Sequence, residues 1–175
     1  MLTEILKREL TNIIEKENGV NWWNRELFLK NIKNDLPPEL EIISLPPDYE
    51  DNYNCFVYAF GLENDKDFLG DNNPIQQNFI KYLLKMNFIM ETDKKIGSII
   101  LYINSNSDIT HAGIMESEDV VISKWMWGPV IRNNYKDVPS SFGDKTIFVN
   151  KLDSKSIKAL YLKYKATGIE IKPIS

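Results

Sequence analysis

The stretch KIGSIILYI, residues 95–103, decides the fold, because the hydrophobic period of the chain changes there. Before it, apolar residues recur every three or four positions, as they do on helices. From it onward, short segments rich in branched and aromatic residues follow one another, as in buried strands. Four further strand candidates follow: ITHAGIM (109–115), VVISKWMW (120–127), GPVIRNN (128–134) and KTIFVNKL (145–152). Helices followed by an antiparallel sheet and a closing helix predict an α+β fold, not an alternating parallel one.

The helical part of the chain is predicted from the same periodicity. An amphipathic helix begins near Leu2 and ends near Gly19, and a second short helix covers 24–33. Two proline pairs, at 37–38 and 46–47, make residues 35–51 an extended connector. Later helices are expected after Cys55, over 75–90 and over 154–168. We expect one domain, 1–175, with a helical extension (1–34), a core (50–150) and a closing helix (153–167).

Composition narrows the classes of function. The chain has 175 residues and a net charge of -4, which argues against a broad nucleic-acid surface. It has no apolar run of the roughly 18 residues that a membrane span needs, and its charged N-terminus does not resemble a signal peptide. One cysteine permits no internal disulfide, so we expect a cytoplasmic protein, or one exported without such a signal. No phosphate loop, CxxC pair or metal-ligand cluster is evident, so no cofactor or metal is expected.

The single cysteine, Cys55, lies in DNYNCFVYAFGL (51–62), where a polar run meets an apolar one. We expect a helix to begin at this residue and to end at Gly61. Free backbone N–H groups at a helix start stabilise a thiolate, and those around residues 54 and 55 would also hold an oxyanion. The alternative is that Cys55 is a small core residue, as most free cysteines are.

The single histidine, His111, lies within a predicted strand, where it is either a general base for Cys55 or a structural residue. If the turn ESED is centred on Ser117, then His111 lies opposite Ser123 across the hairpin. Ser123 would then orient the imidazole ring, and a slip of one residue would remove it. Nearby, Lys124 either attracts a carboxylate or is solvated on one strand face, and we expect the second. Trp125 and Trp127 either wall a groove or pack in the core, and Trp22-Trp23 are expected to anchor the N-terminal helices.

These motifs resemble the NlpC-type papain-like superfamily, which includes the CHAP amidases. The similarity lies in a cysteine that opens a helix, a Gly-led strand and a histidine strand (THAGIM). THAGIMESEDVVISKWMWGPVIRN (110–133) with VPSSFGD (138–144) is similar to a bacterial branch of it, with a Ser-Lys-Trp/Leu-Gly motif and a later Tyr/Phe-Gly pair. The resemblance covers roughly residues 50–150 and implies a papain-like fold, with a central antiparallel sheet packed against the cysteine helix.

Carried over by position, the resemblance implies Cys55 as nucleophile, His111 as base and Ser123 as the third residue. This superfamily more often has His, Asn, Asp, Gln or Glu at the third position and Asp where Asn54 stands. Tyr53 takes a position that often borders the substrate cleft in this superfamily. Trp125 is the candidate for a wall of that cleft. SKWMWG inserts Met126 and Trp127 before the glycine.

Two classes of function follow from these assignments. The first is a thiol hydrolase or acyltransferase of peptidase, amidase or deamidase type, acting on a peptide or protein amide. The second is a catalytically inactive papain-like module that binds a protein, such as a partner in a toxin system. A bacterial effector that modifies a host protein is a weaker third interpretation.

Overall fold

A computed structural model describes residues 1–70 and 75–168. Seven α-helices are present in these ranges: α1 (Glu4–Glu15), α2 (Val20–Trp23), α3 (Arg25–Asn31), α4 (Cys55–Ala59), α5 (Lys66–Gly70), α6 (Gln77–Lys85) and α7 (Ser154–Thr167). Six strands form one sheet: β1 (Glu41–Ser44), β2 (Ile99–Ile103), β3 (Ile109–Met115), β4 (Val120–Lys124), β5 (Val130–Asn134) and β6 (Lys145–Val149). The α+β prediction is confirmed.

The sheet is antiparallel throughout, with the strand order β1-β5-β4-β3-β2-β6. Strand β1 lies inside the segment that we predicted to be an extended connector. Its pairing with β5 is non-local, and its sequence, EIIS, is too short to show a period. The helix predicted over 75–90 is shorter, since α6 ends at Lys85 and Asn87 adopts a left-handed conformation.

Helices cover both faces of the sheet, which explains why β2 is apolar at every position. On the first face, Ile99, Leu101 and Ala112 pack with residues of α4, α6 and α7. On the second face, Ile100 and Tyr102 pack with residues of α1, α2 and α3. The alternation along β2 therefore sends neighbouring side chains into two separate cores.

The N-terminal helices are fastened to the sheet by Trp22. Its indole Nε1 donates a hydrogen bond to the backbone carbonyl of Trp125 at 2.8 Å, and the side chain is buried. Gly128 passes so close that a Cβ atom there would lie 2.1 Å from this nitrogen. The prediction that Trp22 is a packing anchor is confirmed, although its contacts reach the sheet as well as the neighbouring helices.

Helix α4 packs against β3 and β4, at the centre of the sheet. This contact brings the only cysteine against two strands that also carry the histidine, Ser123 and Lys124. None of the helices in the described ranges has the length and apolar character that a membrane crossing requires.

Candidate active site

Asn54 fixes the start of α4, the helix whose first residue is Cys55. Its Oδ1 accepts hydrogen bonds from the backbone N–H groups of Phe56 and Val57, both at 3.1 Å. Its Nδ2 donates to the carbonyl of Ile75 at 2.8 Å. Both ends of the Asn54 side chain are therefore engaged, and two of the N–H groups at the helix start are occupied. Asn54 holds the cysteine in position, and the N–H of Cys55 itself is the remaining candidate for an oxyanion.

Burial decides the protonation state of Cys55. The residue is 3% exposed and packs among the apolar residues of the first face. Burial raises the pKa of the thiol to about 12, although hydrogen bonds from the backbone of Ala112, Phe56 and Cys55 itself, and the charge of Lys124, act in the opposite direction. The sequence predicted the stabilising influence of the helix start, but not that desolvation outweighs it.

Lys124 lies on β4, against which α4 packs, and its charge acts on the thiol. The prediction that it is solvated is wrong. Its side chain is 0% exposed, because β4 is covered by helices on both faces. The ammonium donates a hydrogen bond to the carbonyl of Gly128 and lies 4.9 Å from the centre of the Tyr53 ring. No carboxylate within the described residues lies within ion-pair distance of it.

This environment changes the chemistry of the lysine. Burial lowers the pKa of Lys124 to about 7, while the charge of Cys55 raises it. A lysine without a carboxylate partner is very rarely found inside a protein. A signal for this residue was present in the sequence. If a strand such as IILYI is apolar on both faces, the sheet is covered on both sides, and a lysine in another central strand has no solvated face to occupy.

His111 points to the second face of the sheet. It pairs with Tyr102 and stacks on Phe142, with ring centroids 3.9 Å apart, and both of these residues belong to the second-face core. Its neighbour Ala112 faces the core that contains Cys55. Both ring nitrogens of His111 are buried and have no hydrogen-bond partner within the described part of the chain. Burial lowers its pKa to about 3. The structure therefore does not join Cys55 and His111 by a hydrogen bond.

The predicted register of the β3–β4 hairpin is wrong by two residues. Met115 pairs with Val121, and Ile114 pairs with Ile122, so the turn is centred on Glu118. Glu116 closes it by donating its N–H to the carbonyl of Val120 at 2.8 Å. A sequence of charged turn residues does not show which of them is central. The prediction centred the turn on Ser117, one residue before the observed centre. Moving the centre by one residue changes the partner of every strand residue by two.

Ser123 does not lie opposite His111 in this register. Continuing the observed pairs places it opposite Gly113, where a Cβ atom on the glycine would lie 2.9 Å from Cβ of Ser123. The hydroxyl of Ser123 is buried and, among the described residues, has no hydrogen-bond partner. The proposed orienting contact to His111 is therefore not formed.

Trp125 and Trp127 do not share a strand face. Strand β4 ends at Lys124, and Met126 turns the chain with a φ of 55°. Trp125 is consequently buried in the second-face core and cannot border a cleft, whereas Trp127 is 38% exposed. The two residues inserted into SKWMWG, Met126 and Trp127, both line a cavity.

That cavity includes Cys55 in its wall and has a volume of about 440 Å³. Its other lining residues include Asn54, Phe56, Thr110, Trp127 and Phe142. A second cavity of about 730 Å³ is lined by Trp23, Tyr49, Asn52, Tyr53 and Trp127, among others. Tyr53 lines this second cavity and is not among the residues that line the cavity of Cys55, so its place at a substrate cleft stays a prediction. Trp127 lines both cavities, and its carbonyl accepts a hydrogen bond from Nδ2 of Asn52 at 2.9 Å. No group of three or more potential metal ligands occurs in the described ranges.

A family model matches residues 46–150, more than half of the chain, and carries the description Domain of unknown function (DUF7689). The chain belongs to the DUF7689 family. Cys55, His111, Ser123 and Lys124 all lie inside the matched DUF7689 range, whereas α1–α3, β1 and α7 lie outside it. Comparison with curated proteins gave no match. Comparison with solved structures gave no match either. The likeness to NlpC-type proteins therefore rests on the sequence motifs alone.

Proposed function

We propose that this protein is a thiol hydrolase or acyltransferase that acts on amide or ester bonds, with Cys55 as the nucleophile. One observation carries the proposal: the only thiol of the chain lies in the wall of a 440 Å³ cavity, on the same side of the sheet as a buried lysine that has no acidic partner among the described residues. Strongly shifted ionisable groups that lie together in a cleft are typical of catalytic sites.

The proposed reaction is acyl transfer through sulfur. The Cys55 thiol gives up its proton to a base while the sulfur attacks the substrate carbonyl, whose π electrons move to oxygen. Collapse of this tetrahedral species expels the amine or alcohol, which takes up a proton, and leaves an acyl group on sulfur. Water, or a second amine, then attacks the thioester and releases the acid or the transferred product. The backbone N–H of Cys55 is the candidate donor to the oxyanion.

The arrangement of α4 supports a papain-like assignment in one respect and departs from it in another. A helix that begins at the cysteine packs against a central antiparallel sheet, as the resemblance implies. The base that the resemblance implies, His111, has its ring in the opposite core. In this proposal the protein therefore keeps the nucleophile of that superfamily and uses another base.

The proposal is tested with an activated acyl donor such as a p-nitrophenyl ester. Intact-mass measurement of the folded protein should show one acyl group, and peptide mapping should place it on Cys55. Cys55→Ala should show none, and Cys55→Ser should acylate far more slowly. Lys7→Met is a matched control for surface lysines, because Lys7 lies on α1 in an exposed pair with Glu4. An unmodified Cys55 in folded protein, with acylated surface lysines instead, would contradict the proposal.

A second proposal, a non-catalytic binding module, is favoured by the near-complete burial of the Cys55 thiol. In it the thiol is a core group, and the 730 Å³ cavity, with the rings of Trp23, Tyr49 and Trp127, binds the partner. Trp127→Ala would then abolish binding to a partner protein, and Cys55→Ala would leave it unchanged. Catalysis predicts the reverse dependence, since Cys55 would be indispensable.

A further inference from the structure

We propose that Lys124 is the general base of this site and accepts the proton of Cys55. This inference rests on the proposed thiol chemistry and names the group that makes it work. It replaces the histidine of the papain-like superfamily by an amine on the neighbouring strand, on the same face of the sheet as the cysteine.

The contacts of Lys124 suit an amine that gains and loses a proton. As an ammonium, it donates to the carbonyl of Gly128 and is stabilised by the face of the Tyr53 ring. As a neutral amine, it keeps an N–H for Gly128 and gains a lone pair. Burial favours the neutral form, whereas Tyr53 and the carbonyl favour the charged form. These opposing influences leave both forms accessible near neutral pH, where a general base is most effective.

The neighbours of Lys124 leave Cys55 as the partner for this proton. Helix α4 packs against β4. Cys55, on that helix, and Tyr53, just before it, are therefore the ionisable groups on the Lys124 side of the sheet that act on it. Its paired residue on β5 is Val130, and Ala112 of β3 lies on the same face; neither can titrate. Glu63 and Tyr58 raise the pKa of Tyr53, and neither is among the groups that shift the pKa of Lys124.

His111 is a poor alternative for structural reasons. Its ring is sandwiched in the second-face core, and neither nitrogen has a hydrogen-bond partner within the described residues. A proton transferred to that ring would place a charge among Tyr102, Phe142 and Trp125 with no group to receive it. Lys124, in contrast, already has a carbonyl and an aromatic face that stabilise its cation.

The proton balance follows from these contacts. The S–H bond of Cys55 breaks as the sulfur–carbon bond forms, and the proton passes to Nζ of Lys124. The resulting ammonium then gives this proton to the departing amine or alcohol. In the second half of the reaction, the regenerated amine takes a proton from the attacking water. It returns the proton to sulfur when the thioester breaks.

The test is the pH dependence of Cys55 alkylation by iodoacetamide in folded protein. Since this chain has one cysteine, the loss of free thiol reports on Cys55 alone. In the unaltered protein, the rate should rise through about pH 7, as the Lys124 amine loses its proton. Lys124→Met and Lys124→Arg should both lose that rise and react at least about tenfold more slowly near pH 8. Lys7→Met should behave as the unaltered protein does.

The Lys124→Arg variant shows whether Lys124 acts as a base or only through its positive charge. Arginine keeps the charge beside the sulfur but does not deprotonate in proteins. If Lys124→Arg alkylates as fast as the unaltered protein, then Lys124 acts only through its charge and the inference is wrong. If folded protein does not react at all, while unfolded protein does, then the proposed thiol chemistry itself fails.

A measurement on the unaltered protein guards against variants that do not fold. NMR titration of the lysine side chains should show an amine that titrates near neutral pH. The absence of this early titration would overturn the inference without any substitution.

Discussion

At the scale of single residues, the chemistry of a side chain depends more on its surroundings than on the type of amino acid. The sequence singled out Cys55 and His111 because each occurs once, and it assigned the base role to the histidine. The structure instead places Lys124 on the cysteine side of the sheet and the histidine on the other. Uniqueness in a sequence identifies candidates, but the direction of a side chain depends on register, which a bulge near Thr110 alters.

The buried histidine has a consequence for acid stability. The pKa of His111 is lowered to about 3 in the folded protein, against about 6.5 when it is unfolded. The unfolded chain therefore binds more protons, and stability is lost as the pH falls from about 6.5 towards 3. At about pH 4.5 we expect this residue alone to lower the free energy of unfolding by about 1–3 kcal/mol.

The measurement is urea unfolding of the unaltered protein, His111→Phe and His111→Gln across this pH range. Both variants lack the titrating group, so both should lose less stability in acid than the unaltered protein. Phe fills the stack on Phe142 without an unpaired nitrogen, and it should also be tolerated at neutral pH. An acid loss of the same size in all three proteins would show that His111 does not remain neutral in the fold.

At the scale of elements, the start of α4 could be predicted and the pairing of the strands could not. Cys55 does open a helix, because NYNC supplies a good N-cap in Asn54 just before an apolar run. The hairpin register and strand β1 depended on turn geometry and on a pairing with a distant strand. Neither is encoded in the local period, so both predictions failed where non-local contacts decide.

The N-cap gives a prediction at this scale. Asn54→Ala removes the acceptor for the N–H groups of Phe56 and Val57 and should destabilise the protein by about 1–2 kcal/mol. It should also slow Cys55 alkylation, since the cysteine is the first residue of this five-residue helix. Asn54→Ser keeps an acceptor for the cap and loses the bond to Ile75 without adding a charge, so it should be milder.

Asn24→Ala is the matched control for this experiment. Asn24 caps α3 in the same manner, by accepting from the N–H of Leu27 at 3.1 Å, but α3 lies on the other face of the sheet. It should cost a similar stability and leave the thiol reactivity unchanged. Equal slowing by Asn24→Ala and Asn54→Ala would mean that the effect is one of general stability.

At the scale of the whole molecule, the helices outside the DUF7689 range complete the fold. The sequence predicted an N-terminal extension over 1–34, yet α1–α3 form one wall of the second core. The sequence predicts the apolar faces of these helices from their periodicity. It does not predict which surface of the sheet those faces cover. A sheet apolar on both faces requires two covering layers, and the first face takes α4, α6 and α7.

Adjacent residues of α3 test this requirement. Phe28 is fully buried in the second-face core, whereas its neighbour Leu29 is 38% exposed. Phe28→Ala should lower the free energy of unfolding by about 3–5 kcal/mol, and Leu29→Ala should lower it by well under about 2 kcal/mol.

Removal of residues 1–39 should abolish cooperative thermal unfolding of the remainder. Retention of a cooperative transition in that fragment would show that the family core folds without this layer.

The central claim is that Cys55 is a working nucleophile in the folded protein and not an inert core group. It is tested most directly by the iodoacetamide alkylation rate of native protein compared with the same protein unfolded in urea, both near about pH 7.5. The account predicts that the native thiol reacts much faster than the protein unfolds, because the Lys124 amine takes its proton although burial keeps the thiol protonated at rest. A native thiol that reacts only as fast as the protein unfolds would contradict it.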